Sequence, residues 1–313
     1  MTVAEPAAPT LKRPLAGVLA AATGVVLWGC LVPLAKAADD VNGIVLGFHR
    51  LWIGSLAVLG VFYGTGGRLS KAGLRTSFWG GILFGLDIIF FFSALKLTTV
   101  ANATIVGALQ PALLLYVGAR WFGEQVNGAL IGLTVVAIGG AGLVALGSAS
   151  GSNDEWSLLG DVCALLALAS WTGYFIASKR ARATLSSLEY LASFLVIASV
   201  MVLPIALMAP GPFDPGAEGW WIVIVVAVLS GGLGHFLMNF AHPHIPLYLA
   251  SLLTLAVPVM STTVALIFLD ESINALQVLG MMVVLTAIGL VVLRSERGKD
   301  VDSAVLLEAE PPA

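Results

Sequence analysis

One five-segment unit is written twice along this chain, and the duplication restricts its possible folds more than any other feature. Gly17, Trp28 and Lys36 recur 143 residues later as Gly160, Trp171 and Lys179. Ala103, Pro111, Glu124 and Gly142 recur 147 residues later as Ala250, Pro258, Glu271 and Gly289. A common offset shared by several rare residues points to internal repetition. Each copy holds an odd number of apolar segments, so in a bilayer the second copy enters from the opposite side and the repeats are inverted.

The bilayer itself follows from composition. The chain is 58% hydrophobic and 11% charged, with a mean hydropathy of +0.98, whereas soluble domains carry about 25% charged residues. A helix needs about 20 apolar residues to span the hydrocarbon. Apolar runs predict helices near 15–35, 44–63, 77–96, 100–121, 127–147, 158–178, 188–209, 220–240, 246–269 and 274–294. The expected fold is therefore an all-α polytopic membrane protein with ten transmembrane helices in two inverted five-helix repeats, at 15–147 and 158–297. An extracytoplasmic linker, 148–157 (SASGSNDEWS), joins the repeats, and cytoplasmic tails at 1–14 and 298–313 are polar or Pro/Ala-rich and expected to be disordered. Lys12-Arg13 followed by an apolar run imitates a signal peptide. The interior recurrence of its Gly17/Trp28/Lys36 frame argues for a retained first helix. Cys30 and Cys163 lie in apolar segments without CxxC spacing and read as small core residues. The net charge of -3 is small and dispersed and suggests neither a nucleic-acid partner nor an acidic macromolecular one.

Lys and Arg accumulate in cytoplasmic connections. With the N-terminus inside, twelve of the fifteen basic residues fall on that side, Lys36 and Lys96 fall outside, and Arg50 lies within a helix. Both termini are thus expected in the cytoplasm, and one helix more or fewer would scramble the asymmetry.

Trp28, Arg50, the pattern Ala103…Pro111…Trp121-Phe122-Gly123-Glu124, the pattern Gly160-Asp161…Trp171…Tyr174…Ser178-Lys179-Arg180, and Pro258…Leu269-Asp270-Glu271 resemble the EamA-type ten-helix members of the drug/metabolite transporter superfamily over about 15–297. The resemblance implies a central cavity lined chiefly by helices 1, 3, 4, 6, 8 and 9, alternating access between the halves, and export of amino acids or other small metabolites.

Ionisable residues inside a membrane are costly, by at least about 2.5 to 3.5 kcal/mol each, and are paired or functional. Asp87 and Arg50 lie at roughly 13 Å and 10 Å from the outer ends of their helices at 1.5 Å per residue, so an ion pair between them is one reading. The other places Asp87 in the cavity, as the ligand of a substrate amine or the carrier of a coupling proton, with Arg50 fixing helix packing. His49 points about 100° from Arg50 and reads as hydrogen-bonded packing or a proton relay. His235, after Gly231, Gly232 and Gly234, shares a face with Asn239 one turn on, and that face either reaches the cavity or packs. Pro111 and Pro258 each free a carbonyl and kink a helix; Asn102, Thr104 and Gln110 precede one, Ser251 and Thr254 the other. Trp28, Trp171 and Tyr174 are substrate-stacking, gating or core aromatics, whereas Trp156, Trp220 and Trp221 read as interfacial anchors. Glu124 and Glu271 read as hydrated helix ends, or as contacts to the opposite half in one access state. His242 and His244 (HPHIP) have no further ligands near them and read as a turn.

The expected function is secondary transport, most simply export, of a small metabolite across the cytoplasmic membrane. Both proton coupling and downhill flow are compatible with it. The candidate substrate residues are Asp87, Trp28, Gln110, Trp171, Tyr174, His235 and Asn239. Asp87, Arg50 and His49 are candidates for coupling or ion pairing, and Pro111 and Pro258 for gating. No metal or organic cofactor is implied. No GxxxxGK[ST] loop is present for ATP, and no HExxH or GxSxG constellation for an intramembrane enzyme. An enzyme and a passive channel or scaffold are the alternatives. A ten-helix unit is compatible with acting alone or in an oligomer.

Overall fold

A computed structural model describes residues 13–36, 41–148, 157–268 and 272–308. Ten helices in it are long and apolar enough to cross a membrane. They are α1 (Pro14–Lys36), α2 (Gly43–Gly64), α3 (Lys71–Leu97), α4 (Val100–Gly107 continued by Gln110–Phe122), α5 (Gly128–Ser148), α6 (Leu158–Ala181), α7 (Ser187–Met208), α8 (Gly216–Ala241), α9 (Leu247–Thr254 continued by Ala256–Phe268) and α10 (Ala275–Glu308). We call the end where α1 begins proximal and the other distal.

Helix starts follow local chemistry. The first amides of a helix have no intrahelical acceptor, and short polar side chains supply one. Ser70 Oγ accepts from Gly73 N at 2.8 Å, Thr99 Oγ1 from Asn102 N at 3.1 Å, Ser157 Oγ from Gly160 N at 3.1 Å and Ser186 Oγ from Glu189 N at 3.1 Å. Two helices begin earlier than their apolar runs, α3 at Lys71 rather than 77 and α8 at Gly216 rather than 220. Their first turns are polar or glycine-rich, so hydropathy carries no signal for a helix there. At the other extreme, α10 continues to Glu308, against the expected disordered tail after Lys299. No proline interrupts that stretch before Pro311, and Ala-Val-Leu-Leu is helix-compatible.

α1 and α7 run unbroken through Pro33 and Pro204, whereas the helices that carry Pro111 and Pro258 are broken rather than merely kinked. The break in α4 falls at Ala108–Leu109 and that in α9 at Leu255, each just ahead of its proline. Pro111 and Pro258 then occupy the first turn of the second segment, where a missing N–H costs nothing. In α8 the residues Val226–Gly234 form a π-helix.

The repeats interleave. α3 lies against α6 and α7, α2 against α7, α5 along α10, α1 against α8 and α9, and the second segment of α4 against the first of α9. Glycines permit these approaches. A Cβ on Gly280 would sit 2.6 Å from Gly140 O, and one on Gly54 3.1 Å from Ala227 O. The repeated pair Gly17/Gly160 has one explanation at both ends of the molecule. Gly17 meets the α8–α9 turn, where a Cβ would be 2.7 Å from His244 Cβ, and Gly160 meets the α3–α4 turn, 2.4 Å from Leu97 C.

Candidate functional site

A cavity of about 350 Å³ opens among Trp28 of α1, Arg50 of α2, Phe84 and Asp87 of α3, Ala103 to Ala108 of α4, Trp171 of α6, Ser230 and His235 of α8, and Thr254 to Pro258 of α9. The lining residues of α2, α4 and α5 and most of those of α3 and α6 lie in the distal halves of their helices, while those of α8 and α9 lie near mid-helix, so the cavity is displaced toward the distal end. The aromatic floor is formed across the repeats. The symmetry-equivalent indoles of Trp28 and Trp171 meet edge to face at 5.9 Å, and His235 lies 4.8 Å from Trp28 and 4.7 Å from Phe84 between ring centroids. The π-helix positions this floor. Its Ser230 carbonyl accepts from Trp28 Nε1 at 3.1 Å, and Gly234 has no side chain to obstruct the indole, which a Cβ would approach to 2.5 Å. A side chain inserted into the backbone ladder is a recognised cause of helix distortion.

Arg50 and Asp87 both reach this cavity, but not each other. The direct ion pair is not formed, because Arg50 lays its stem on Gly231 of the π-helix, 3.3 Å from an added Cβ there, and its Nε is buried with no hydrogen-bond partner. Among the described residues the ion pair within 4.0 Å is a different one, Lys179–Glu124. A cation from α2 and a carboxylate from α3 therefore line one cavity without a direct contact between them. His49 is held away from both. Trp52 Nε1 donates to its Nδ1 at 2.8 Å, so its Nε2–H donates to Phe213 O at 2.7 Å, tying α2 to the α7–α8 loop. Trp220 stays close to the same group, with Nε1 donating to Asp214 at 2.8 Å, while Trp221 is exposed on the outer face. Trp156 and Glu271 lie outside the described residues.

Below the cavity the interior is closed, and a chain of hydrogen-bonded polar side chains runs through it among Phe175 and Phe194. Tyr174 OH and Ser178 Oγ both donate to Asn239 Oδ1, at 3.2 and 2.7 Å, Tyr174 OH lies 3.4 Å from His235 Nδ1, and His242 Nδ1 lies 2.6 Å from Ser178 Oγ. The serine proton is committed to Asn239, so His242 donates and is the neutral Nδ1–H tautomer. Gln110 sits here too, accepting from Ser251 Oγ at 2.8 Å. Tyr174, Gln110 and Asn239, candidates for substrate contact, are thus sealed beneath the cavity, while Trp28, Trp171, His235 and Asp87 line it. Periodicity could not separate these groups, since all share inward faces; depth along each helix does.

His242 lies in the proximal turn after α8. Burial first, then the nearby Lys179 and Arg182 cations, pushes its imidazole down to about 3. The folded protein binds this proton less readily than the unfolded chain, so the contribution to stability is complete above pH 6.5 and is lost as pH falls toward 3. Thermal unfolding between pH 7 and 5 should show a loss of about 1 kcal/mol per pH unit that His242→Asn removes. Identical pH slopes in both proteins would exclude the effect.

At the proximal mouth Glu124 is a contact between repeats, not a hydrated helix end. Gly123 turns the chain with φ 65°, and Gly118 leaves room for the returning carboxylate, since a Cβ there would be 2.4 Å from Glu124 Oε2. Glu124 Oε1 takes Lys179 Nζ at 2.6 Å and Leu247 N at 2.6 Å. The spacing Gly118…Gly123-Glu124 is the signal in the sequence; its partner is not deducible without the fold. His244 Nδ1 lies 2.7 Å from Phe240 O, and no cluster of metal-ligating residues occurs among the described residues.

The pattern of the EamA-like transporter family matches residues 15–146 and again 158–293, one match to each repeat. The chain is 29% identical over 252 residues to the aromatic amino acid exporter YddG of Ancylobacter novellus, covering 77% of this chain and 84% of that one. It is 24% identical over 230 residues to the pseudopaline exporter CntI of Pseudomonas aeruginosa, covering 74% and 78% respectively. A solved crystal structure superposes with a TM-score of 0.79 at 20% identity, over 91% of this chain and 99% of that one, which shows a shared fold.

Proposed function

Since the chain belongs to the EamA-like transporter family, and is a multi-pass membrane transporter rather than an enzyme, we propose that it exports a small amphipathic zwitterion of the amino-acid type by alternating access. The supporting observation is a guanidinium and a carboxyl side chain that line one aromatic-floored cavity of about 350 Å³ without a direct contact between them. Asp87 holds the substrate ammonium, Arg50 its carboxylate, and Trp28, Phe84 and Trp171 receive the side chain. Charged groups facing a desolvated ligand of opposite sign contribute about 1.5–3 kcal/mol per hydrogen bond, and indole faces favour both rings and cations. The relative named as an aromatic amino acid exporter supports the same class. In this reading the protein lies in the cytoplasmic membrane with both termini inside, and the distal cavity faces outward.

The test is counterflow in proteoliposomes preloaded with pooled amino acids, amines, nucleosides or sugars. Saturable exchange confined to the amino-acid pool is the expected result. Exchange of sugars or nucleosides alone would overturn the zwitterion assignment, and flux without saturation or counterflow would favour a channel.

A further inference from the structure

We infer that Glu124, Lys179 and the first amides of α9 form a latch that holds the proximal end shut, and that substrate reaches the cavity only when this latch parts. The inference deepens the transport reading above and rests on it.

The first support is chemical. Helix α9 begins after Pro246, whose side chain provides no cap, so its first amides need an acceptor from elsewhere. Glu124, from the other repeat, supplies it, accepting from Leu247 N at 2.6 Å and lying 3.5 Å from Tyr248 N. A carboxylate at a helix N-terminus is also favoured by the helix dipole. Lys179 completes the junction, donating to Glu124 Oε1 at 2.6 Å and to Ile245 O at 3.2 Å, with its ammonium 5.4 Å from the Phe122 ring centre. The ends of α4 and α6 and the start of α9 are thereby joined through one carboxylate.

The second support is what the junction covers. The space between it and the cavity holds the Tyr174–Asn239–Ser178–His242 chain, packed against Phe175 and Phe194, with Asn239 Nδ2 buried without a hydrogen-bond partner, and Ser193 Oγ of α7, beside Gly73 at the proximal start of α3, is buried and unpartnered as well. An unpaired buried polar atom costs about 1–3 kcal/mol. A permanent plug in a membrane protein is better made of apolar side chains, whereas a surface wetted in another state needs polar ones. The third support is mechanical. The breaks in α4 at Ala108–Leu109 and in α9 at Leu255 fall between the sealed segments and the cavity-lining ones, so each helix can pivot where its backbone ladder is already interrupted.

The experiment reads access, not transport, and needs no substrate, so its outcome is independent of the counterflow result. Ser193→Cys is the reporter, placed in protein whose Cys30 and Cys163 are replaced by Ala. A membrane-impermeant maleimide is applied to sealed vesicles of each orientation. Glu124→Gln and Lys179→Met should each raise labelling from the proximal side by about tenfold or more, with labelling from the distal side unchanged. The reversed pair Glu124→Lys/Lys179→Glu restores the attraction but not the cap on α9, and should bring labelling part of the way back. Unchanged proximal labelling in both single variants would overturn the latch. Equal acceleration in the single and reversed variants, or from both sides, would indicate a generally loosened fold and would overturn it as well.

Discussion

Asp87→Asn will reduce exchange of an amine-bearing substrate at least about 30-fold, the equivalent of roughly 2 kcal/mol for loss of one partner of a desolvated charge pair. Asn keeps the size of the side chain and its hydrogen-bonding capacity, so the cavity between α3 and α6 should keep its shape, and monodisperse elution with an unchanged unfolding midpoint would confirm this. The assay separates the two roles open to this carboxylate. A substrate ligand loses exchange at every pH, whereas a proton carrier loses only pH-driven accumulation and retains exchange. We expect the former. Arg50→Gln complements it, with exchange falling for substrates that carry a carboxylate and persisting for simple amines. Wild-type exchange of a zwitterion by both variants would remove the charged wall from the mechanism.

Gly160→Ala will destabilise the protein while Gly142→Ala will not. Both positions are helical, and Ala is favoured over Gly in a helix by about 1 kcal/mol. At Gly142 nothing lies within 4 Å of the added Cβ, so that preference acts unopposed. At Gly160 the Cβ falls 2.4 Å from Leu97 C and 2.5 Å from Leu97 O, which are backbone atoms that cannot rotate aside. The overpacking costs about 1–3 kcal/mol or more, and it acts where α6 of one repeat docks on the α3–α4 turn of the other. Thermal unfolding in detergent should show a lowered midpoint for Gly160→Ala and an unchanged or raised one for Gly142→Ala. Equal midpoints would mean that the turn moves aside without cost.

Much of the fold was legible because a bilayer simplifies the code. Hydrocarbon admits only helices whose backbone bonds are satisfied within the segment, so ten apolar runs become ten helices, and the errors lie outside those runs, in polar first turns such as Lys71–Arg75 and in the continuation of α10 after Lys299. The frame residues were legible as a repeat, and their purposes only afterwards. Gly17 and Gly160 make room for the turns of the opposite repeat, and Trp28 and Trp171 meet each other. The site was legible in part. Asp87, Trp28, Trp171 and His235 do line one cavity, yet Tyr174 and Asn239, on the same inward faces, lie below it in a sealed layer. Arg50 and Asp87 match in depth, but depth along a helix says nothing about azimuth, and the glycines of the π-helix draw the Arg50 stem to α8 instead.

By itself, the sequence determined the membrane setting, the number of crossings and the internal repetition, because each depends on composition and spacing summed along the chain. The tertiary structure decided which helices touch, where the cavity lies and which end is shut. Those properties depend on contacts between residues far apart in the chain, Glu124 with Leu247, Trp28 with Ser230 and Gly160 with Leu97, whose partners are selected by the close packing of helices and by the need of every buried polar group for an acceptor or donor.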